Sequence, residues 1–404
     1  MGCSLHDIFA SGVIVIKGLP GAGKTLLAAK AASTAKNAVW FTFYETEERL
    51  RRYLASANIT PPAHIFDLVS AGDIKAAVEF IVNKAAELKP DFVVVDGLSV
   101  LGAEGERELV HALFYHGISR DTPVILIKEG LDVTPADYIA DSIIEVHHRI
   151  HEGGASYRYV RIAKARGMSI RHYQLPYVIS DSGPVVVAPS ESARPPTTER
   201  LTTGAPEVDE AIGGGVLRGS LVAVVGPADG LASKLMVLTA SELARRGSKV
   251  LYHHHKAYPT FVKFAEALGV KWRRQGITWF YHSVSEHRSL EWWYKAARLV
   301  DEGSFDVHMA DQYEAVVATA GEDVVAEGAR IYQETLRRPV VTVLVVNSHY
   351  IWRRAARGIR SLVDYIFIFR PGLLRVYAPE LPTPLEFQYV VDWAGRRVVF
   401  KKSG

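Results

Sequence analysis

Apolar residues along this chain fall in short runs of strand length, such as Gly12 to Ile16 and Val340 to Val346. Between them lie segments whose apolar residues recur at helical spacing, such as Glu47 to Ser56 and Pro259 to Leu268. The alternation predicts β–α–β units and a parallel sheet with helices on both faces. The order of these units repeats after about 200 residues. A strand at Val13 to Ile16 runs into a Gly-rich loop and a helix from Lys24; a strand at Leu221 to Val225 runs into Gly226 to Gly230 and a helix near Ser233. Ala38 to Phe43 is matched by Lys249 to His255, and Asp91 to Asp96 by Asp306 to Asp311. Val124 to Ile127 is matched by Val341 to Val346, and Asp141 and Asp364 open the next strand in each half.

Between the halves, Ala188 to Glu199 is polar and holds three prolines. Such a stretch cannot pack as a core element and reads as a linker. The expected organisation is α/β throughout: a domain over 1–188, a linker over 189–200 and a second domain over 201–404. No apolar run approaches the roughly 18 residues of a membrane span, and the N-terminus lacks the pattern of a secretory leader. A single cysteine, Cys3, excludes an intramolecular disulfide and a cysteine-based zinc site. A cytoplasmic protein without a membrane partner is therefore expected. Charge adds one asymmetry. Residues 1–195 carry 20 Lys and Arg against 22 Asp and Glu, whereas 196–404 carry 27 against 22. The second half is the better candidate for a polyanionic partner.

The chemistry lies in Gly18-Leu-Pro-Gly21-Ala22-Gly23-Lys24-Thr25, followed by Leu26. This is the full G-x-x-x-x-G-K-[ST] pattern, placed between a strand and a helix as the phosphate loop requires. Glycines let the backbone curl so that N–H groups face phosphate oxygens, and the helix adds its N-terminal dipole. Lys24 then reaches the β- and γ-phosphates, and the Thr25 hydroxyl holds Mg2+. Asp96 ends an apolar strand, where a second-sphere carboxylate for that ion belongs. The expected ligands are ATP and Mg2+.

These motifs resemble the KaiC-like branch of the RecA-type ATPases, and the resemblance spans nearly the whole chain. Thr203-Gly204 through Gly219-Ser220 is similar to that family's domain-opening signature, and Leu5 to Phe9 looks like a shortened form of it. Lys164-Ala-Arg166-Gly167 looks like the family's K-x-R-G element, and Tyr177 to Gly183 like its final strand and turn. The resemblance implies two tandem RecA/KaiC-like domains, a homo-oligomeric ring, plausibly hexameric, and ATP held between subunits. It also implies that Lys164 and Arg166 reach the neighbouring subunit's nucleotide. From spacing alone, both cations point to one face of a strand, where an edge that discourages strand pairing is an equally ordinary role. Where the family carries two adjacent glutamates after the second strand, this chain has Tyr44-Glu45. Tyrosine is a poor base near neutral pH, so Glu45 alone is left to prepare the attacking water.

The second half lacks these groups. Ala232 falls at the lysine position, Asp229 brings negative charge into the loop, His255-Lys256 replaces the acidic pair, and Ala378 and Glu380 replace the two cations. A domain that does not hydrolyse ATP is expected there. His253 and His255 share a strand face, but two imidazoles are too few for a closed metal site, and the trio with His254 reads as a remnant. Basic-aromatic clusters at Trp272 to Arg274, Trp292 to Lys295 and Tyr350 to Arg360 could engage a nucleic acid or protein client. The expected activity is ATP hydrolysis by the first domain. Two alternatives remain: a nucleotide-gated scaffold with negligible turnover, or a DNA-associated relative of the recombinases.

Overall fold

A strand buried on both faces needs apolar residues at nearly every position. The first strand, β1 (Val13–Gly18), meets that condition with Lys17 as its one polar side chain. In this computed structural model, described for residues 8–10, 12–70, 73–115, 118, 122–150, 154–170, 172–181, 183–188, 197–271, 276–395 and 397–402, β1 lies inside a nine-stranded sheet. The other strands are β2 (Ala38–Thr42), β3 (His64–Asp67), β4 (Phe92–Asp96), β5 (Val124–Glu129), β6 (Ser142–Ile150), β7 (Ser156–Ala165), β8 (Gln174–Ser180) and β9 (Gly183–Val186). Their order is β3-β2-β4-β5-β1-β6-β7-β8-β9. From β3 to β6 all neighbours are parallel. β7, β8 and β9 continue the sheet as antiparallel neighbours.

Helices cover both faces. α1 (Lys24–Ala32) follows β1 and buries Leu26, Leu27 and Ala29 against Ile14, Ile16, Trp40 and Val94. α2 (Glu47–Ser56) follows β2 and adds Leu50 and Leu54 to that core. α3 (Ile74–Leu88) and α4 (Gly102–Tyr115) cover the opposite face, over Val13, Val15, Phe41, Val93 and Val95. A five-residue helix, α5 (Pro135–Ile139), precedes β6.

The second half repeats this plan strand for strand. A short antiparallel pair, β10 (Arg200–Leu201) and β11 (Val216–Leu217), precedes it, with α6 (Pro206–Ala211) between them. The sheet is built from β12 (Leu221–Val225), β13 (Val250–His254), β14 (Ile277–Tyr281), β15 (Val307–Ala310), β16 (Val341–Val346), β17 (Tyr365–Arg370), β18 (Leu373–Tyr377), β19 (Leu385–Asp392) and β20 (Arg397–Lys402). Its order, β14-β13-β15-β16-β12-β17-β18-β19-β20, is that of the first sheet. The helices are α7 (Leu231–Arg245), α8 (Tyr258–Ala267), α9 (Leu290–Glu302), α10 (Tyr313–Ala320), α11 (Glu322–Thr335) and α12 (His349–Ile359). Contacts divide the chain into two compact units, 1–149 with 157–188, and 150–156 with 189–404. The chain is thus mixed α/β with two large, mainly parallel sheets flanked by helices.

One device recurs at the same place in both units. The Val13 amide donates to Asp141 Oδ2 (3.0 Å), and the Leu221 amide donates to Asp364 Oδ2 (2.8 Å). The shared registers also pair positions across the units. Lys17 sits beside Lys128 and Glu145 in the first sheet, and Val225 sits beside Val346 and Ile368 in the second.

Among the described residues, no helix is long and apolar enough to cross a membrane.

Candidate nucleotide site

The loop after β1 turns back on itself through a bond from the Ala22 amide to the Leu19 carbonyl (3.2 Å). Gly21 and Gly23 take φ of 78° and 103°, which only glycine adopts without strain. Gly18 is needed for a different reason: a Cβ there would lie 2.2 Å from the Val146 carbonyl oxygen. Tyr177 closes the loop from behind, its hydroxyl donating to the Gly23 carbonyl (2.9 Å). Ala22 and the side chain of Leu26 are buried in the core, so these two can offer a ligand only their backbone.

Lys24 is buried and its ammonium donates to the Leu19 carbonyl (3.1 Å) and to Glu129 Oε2 (2.8 Å). Thr25 and Asp96 come together as the motif requires: the Thr25 hydroxyl donates to Asp96 Oδ2 (3.1 Å). Burial pushes the Asp96 carboxyl up to about 7, with Glu129 and Glu45 adding to the rise while Thr25 and Lys24 oppose it. The site therefore concentrates acids around one lysine and one hydroxyl, an arrangement that a divalent cation neutralises.

Glu45 is held by its own helix. Its carboxylate pairs with Arg49 (2.8 Å), and the Tyr44 and Glu45 amides both donate to the Thr42 hydroxyl (3.3 and 3.2 Å). Tyr44 is half-exposed and packs on the backbone at Gly97, with no room for a Cβ between them. Burial, then Glu129 and Asp96, raise its phenol pKa further from use as a base.

Lys164 and Arg166 are neighbours of each other, but within the chain their partners lie outside the loop. The Lys164 ammonium donates to the carbonyls of Asp137 (3.0 Å) and Tyr138 (3.1 Å) in α5. Burial and then the Arg166 charge lower its pKa. The expectation that both cations extend from one strand needs correction. β7 ends at Ala165, and Arg166 begins the turn, where it pairs with Asp141 (3.3 Å). Its side chain stays 57% exposed, so it remains available to a second molecule.

The residue missed in the sequence is Glu129. It ends β5 directly beside Gly18 in register. The polar Lys128-Glu129 pair closing an otherwise apolar strand was the available signal.

In the second unit, the Ser233 hydroxyl donates to Asp311 Oδ1 (2.5 Å), which places Ser233 where Thr25 stands and Ala232 where Lys24 stands. The surrounding groups have closed over that position. Tyr252 donates to Asp311 (3.1 Å), and the Asn347 amide group donates to Ser233 Oγ (2.8 Å). Burial pushes Asp311 up to about 6. Lys234 lies outside this network and donates to the Asp229 carbonyl (3.2 Å).

The basic-aromatic clusters are partly engaged in the fold, while Tyr350, Arg353 and Arg360 stay exposed. Trp293 and Trp352 are buried, and Arg354 and Arg357 both pair with Glu322 (2.8 and 3.3 Å). Trp272 to Arg274 lies outside the described residues, as do Cys3 and most of the stretch from Leu5 to Phe9.

No protein-family model matches the chain. An alignment 120 positions long, covering 26% of the chain, is 29% identical to Protein GvpD2 of Halobacterium salinarum. The match covers 24% of that protein, so the chain spans about a quarter of the length of this curated relative. The relationship is distant and local.

Proposed function

We propose that the first unit binds Mg·ATP and hydrolyses it as a KaiC-like, RecA-superfamily ATPase that works as a homo-oligomeric ring in the cytoplasm, with domains at 1–188 and 201–404. The supporting observation is the closed loop from Gly18 to Thr25, with Thr25 and Asp96 3.1 Å apart at the end of β4. In this reading Gly18, Gly21, Ala22, Gly23, Lys24, Thr25 and Leu26 cradle the phosphates. Thr25 and Asp96 hold Mg2+, the ion that neutralises charge on the transferring phosphoryl group. Lys24 leaves Glu129 for the phosphates. Glu45 orients the attacking water, and Lys164 and Arg166 serve the neighbouring subunit. The second unit is non-catalytic.

Lys24→Ala removes a charge-assisted contact of about 1.5–3 kcal/mol. ATP affinity, read by calorimetry, is expected to fall by roughly one to two decades. The same variant should show no Mg-dependent turnover, because the second unit has no lysine at the matching position. Unchanged affinity would remove the basis for the site; residual turnover of a tenth or more would contradict the assignment of the second unit.

Glu129 competes with the nucleotide for Lys24. Its side chain is 34% exposed, so the ion pair is worth less than about 1 kcal/mol. Glu129→Gln is expected to tighten ATP binding by roughly two- to fivefold in the same titration. Weaker binding would mean that Glu129 supports the nucleotide instead of opposing it.

One observation favours a scaffold with negligible turnover: Glu45 is engaged by Arg49, and Tyr44 occupies the other acidic position. Single-turnover measurement on the assembled protein separates the two readings.

A further inference from the structure

The second unit buries a cluster of histidines that its role as a silent ATPase fold does not require. His253, His282, His287 and His308 are all buried, and His255 is half-buried beside them. They come from β13, the end of β14, the 3-10 turn Val284–Arg288 and β15. Sequence reasoning counted two imidazoles on one strand face. The fold brings the others to the same spot.

The comparison between units shows how unusual this is. Shared strand registers place His253 at the position of Phe41, His255 at Phe43, His308 at Val93 and His282 at Leu68. In the first unit Phe41, Phe43 and Val93 belong to the apolar core, and Leu68 packs against it. One fold therefore accepts hydrocarbon at all four positions, and the second unit has imidazoles there. Burying a polar ring costs free energy unless its nitrogens find partners. His308 Nδ1 meets the Tyr332 hydroxyl at 2.6 Å, and the three other exchanges on this face of the sheet call for something that uses the nitrogens.

Their arrangement supplies it. One ring nitrogen from each of His253, His255 and His287 lies within 4.8 Å of the others. His255 Nδ1 lies 3.1 Å from the His282 carbonyl, a bond that leaves Nε2 with its lone pair. Metal-bound histidines are commonly held this way, by a carbonyl on the second nitrogen. The His282 ring sits between the other two, hydrogen-bonded to His253 and, at 2.8 Å, to His287. Trp292 stacks on His282 and His287, with ring centroids 4.0 and 4.2 Å away.

We propose that His253, His255 and His287 form a binding site for a late first-row divalent metal ion, Zn2+ foremost, with the one accepting nitrogen of the His282 ring orienting one of the ligands and the other ligand leaving its bond to His282 for the ion. Imidazole nitrogen suits zinc, cobalt, nickel and copper, whereas magnesium and calcium require oxygen. Metal–nitrogen bonds of about 2.0–2.1 Å require the three nitrogens to draw together around the ion. Three imidazoles leave a fourth position for water or an anion, and half-buried His255 marks the side from which the ion enters.

The test uses untagged full-length protein, stripped with a chelator and titrated with Co2+ and with Zn2+. One equivalent of Co2+ is expected to bind, with the visible absorption of a four- or five-coordinate nitrogen site, and Zn2+ should displace it. His253→Phe and His255→Phe place at each site the residue that the first unit carries there. Each is expected to weaken binding at least about 100-fold, more than the loss of a supporting hydrogen bond, with circular dichroism unchanged. His255 is only half-buried, so His255→Phe gives the answer even where His253→Phe unfolds the unit. Stripped, folded protein that takes up no Co2+ or Zn2+ at micromolar concentration overturns the proposal. So does binding that His255→Phe leaves unaltered.

Discussion

Subunits carrying Arg166→Ala are expected to bind Mg·ATP like the parent protein and to lose about 10³–10⁵ in turnover, the range for a cation supplied across an interface to the phosphoryl-transfer transition state. The expectation rests on the proposed ring. Arg166 sits in the turn after β7 with more than half its side chain in solvent, and within its own chain it touches Asp141, not the phosphate loop. Its removal leaves Asp141 with the backbone amide of Val13, so no buried group is orphaned and the fold should hold. Turnover per subunit should also climb with protein concentration as the ring assembles. Mixing gives the sharper measurement. Arg166→Ala subunits keep an intact loop, and Lys24→Ala subunits keep an intact arginine. Rings containing both should form some complete interfaces and regain part of the activity. Mixed rings that demonstrably form yet stay as inactive as either parent would show that Arg166 is an edge charge and nothing more.

A second large effect concerns stability. Asp137→Ala is expected to cost the first unit about 3–5 kcal/mol, measured by urea unfolding, because it leaves the buried Lys128 ammonium without a carboxylate and Lys17 with only Glu145, at 3.9 Å. Lys17 and Lys128 are almost wholly buried side by side on β1 and β5, and both pair with Asp137, Lys17 at 3.1 Å. Lys128 also donates to the Asp132 carbonyl (2.6 Å) and to the Thr134 hydroxyl (2.9 Å). Burial raises the Asp137 pKa, but hydrogen bonds from Lys128, the Thr134 amide and Lys17 outweigh it and hold the carboxyl below its ordinary value. A depressed folded pKa adds stability that is complete above the unfolded value, about 3.9. That contribution fades as pH falls through the folded one. The second unit shows the apolar solution at the same positions, with Val225, Val346 and Ile368. Replacing Lys17, Lys128 and Glu145 by those three residues together with Asp137→Ala should therefore restore most of the lost stability. A single Asp137→Ala that unfolds at the parental midpoint would show that water already solvates the lysines.

The architecture was readable because parallel strands advertise themselves as apolar runs. Glu47 to Ser56 and Val341 to Val346 appear with the bounds expected of them. The strand at 124–127 proved longer, through Glu129, because its last two residues are polar and break the run while keeping the ladder. That same break hid Glu129, the partner of Lys24. The strand–loop–helix placement of Gly18 to Thr25 was legible because the motif fixes residue types at fixed spacing, and Thr25 and Asp96 do meet. The histidine cluster was not legible. Its members lie on separate strands and a turn, and only the sheet order brings residues 253, 282, 287 and 308 together. Arg166 shows a finer limit: alternation gives the face of a strand but not the residue at which the strand stops.

The network around the second unit's loop makes a single-residue return to the phosphate-loop sequence unfavourable. Gly226 packs so closely on Ala232 that even a Cβ at Gly226 would lie 2.9 Å from the alanine's own Cβ. Ala232 is fully enclosed, Tyr252 donates to Asp311, and Asn347 donates to Ser233. Restoring the lysine alone would force a long cation into a sealed gap with no phosphate to meet it. A lysine at position 232 therefore needs changes at Gly226 and its neighbours as well. The loop of the second unit is in that sense locked by its own neighbours, whereas the imidazole cluster, on the opposite face of the sheet, is free of that constraint.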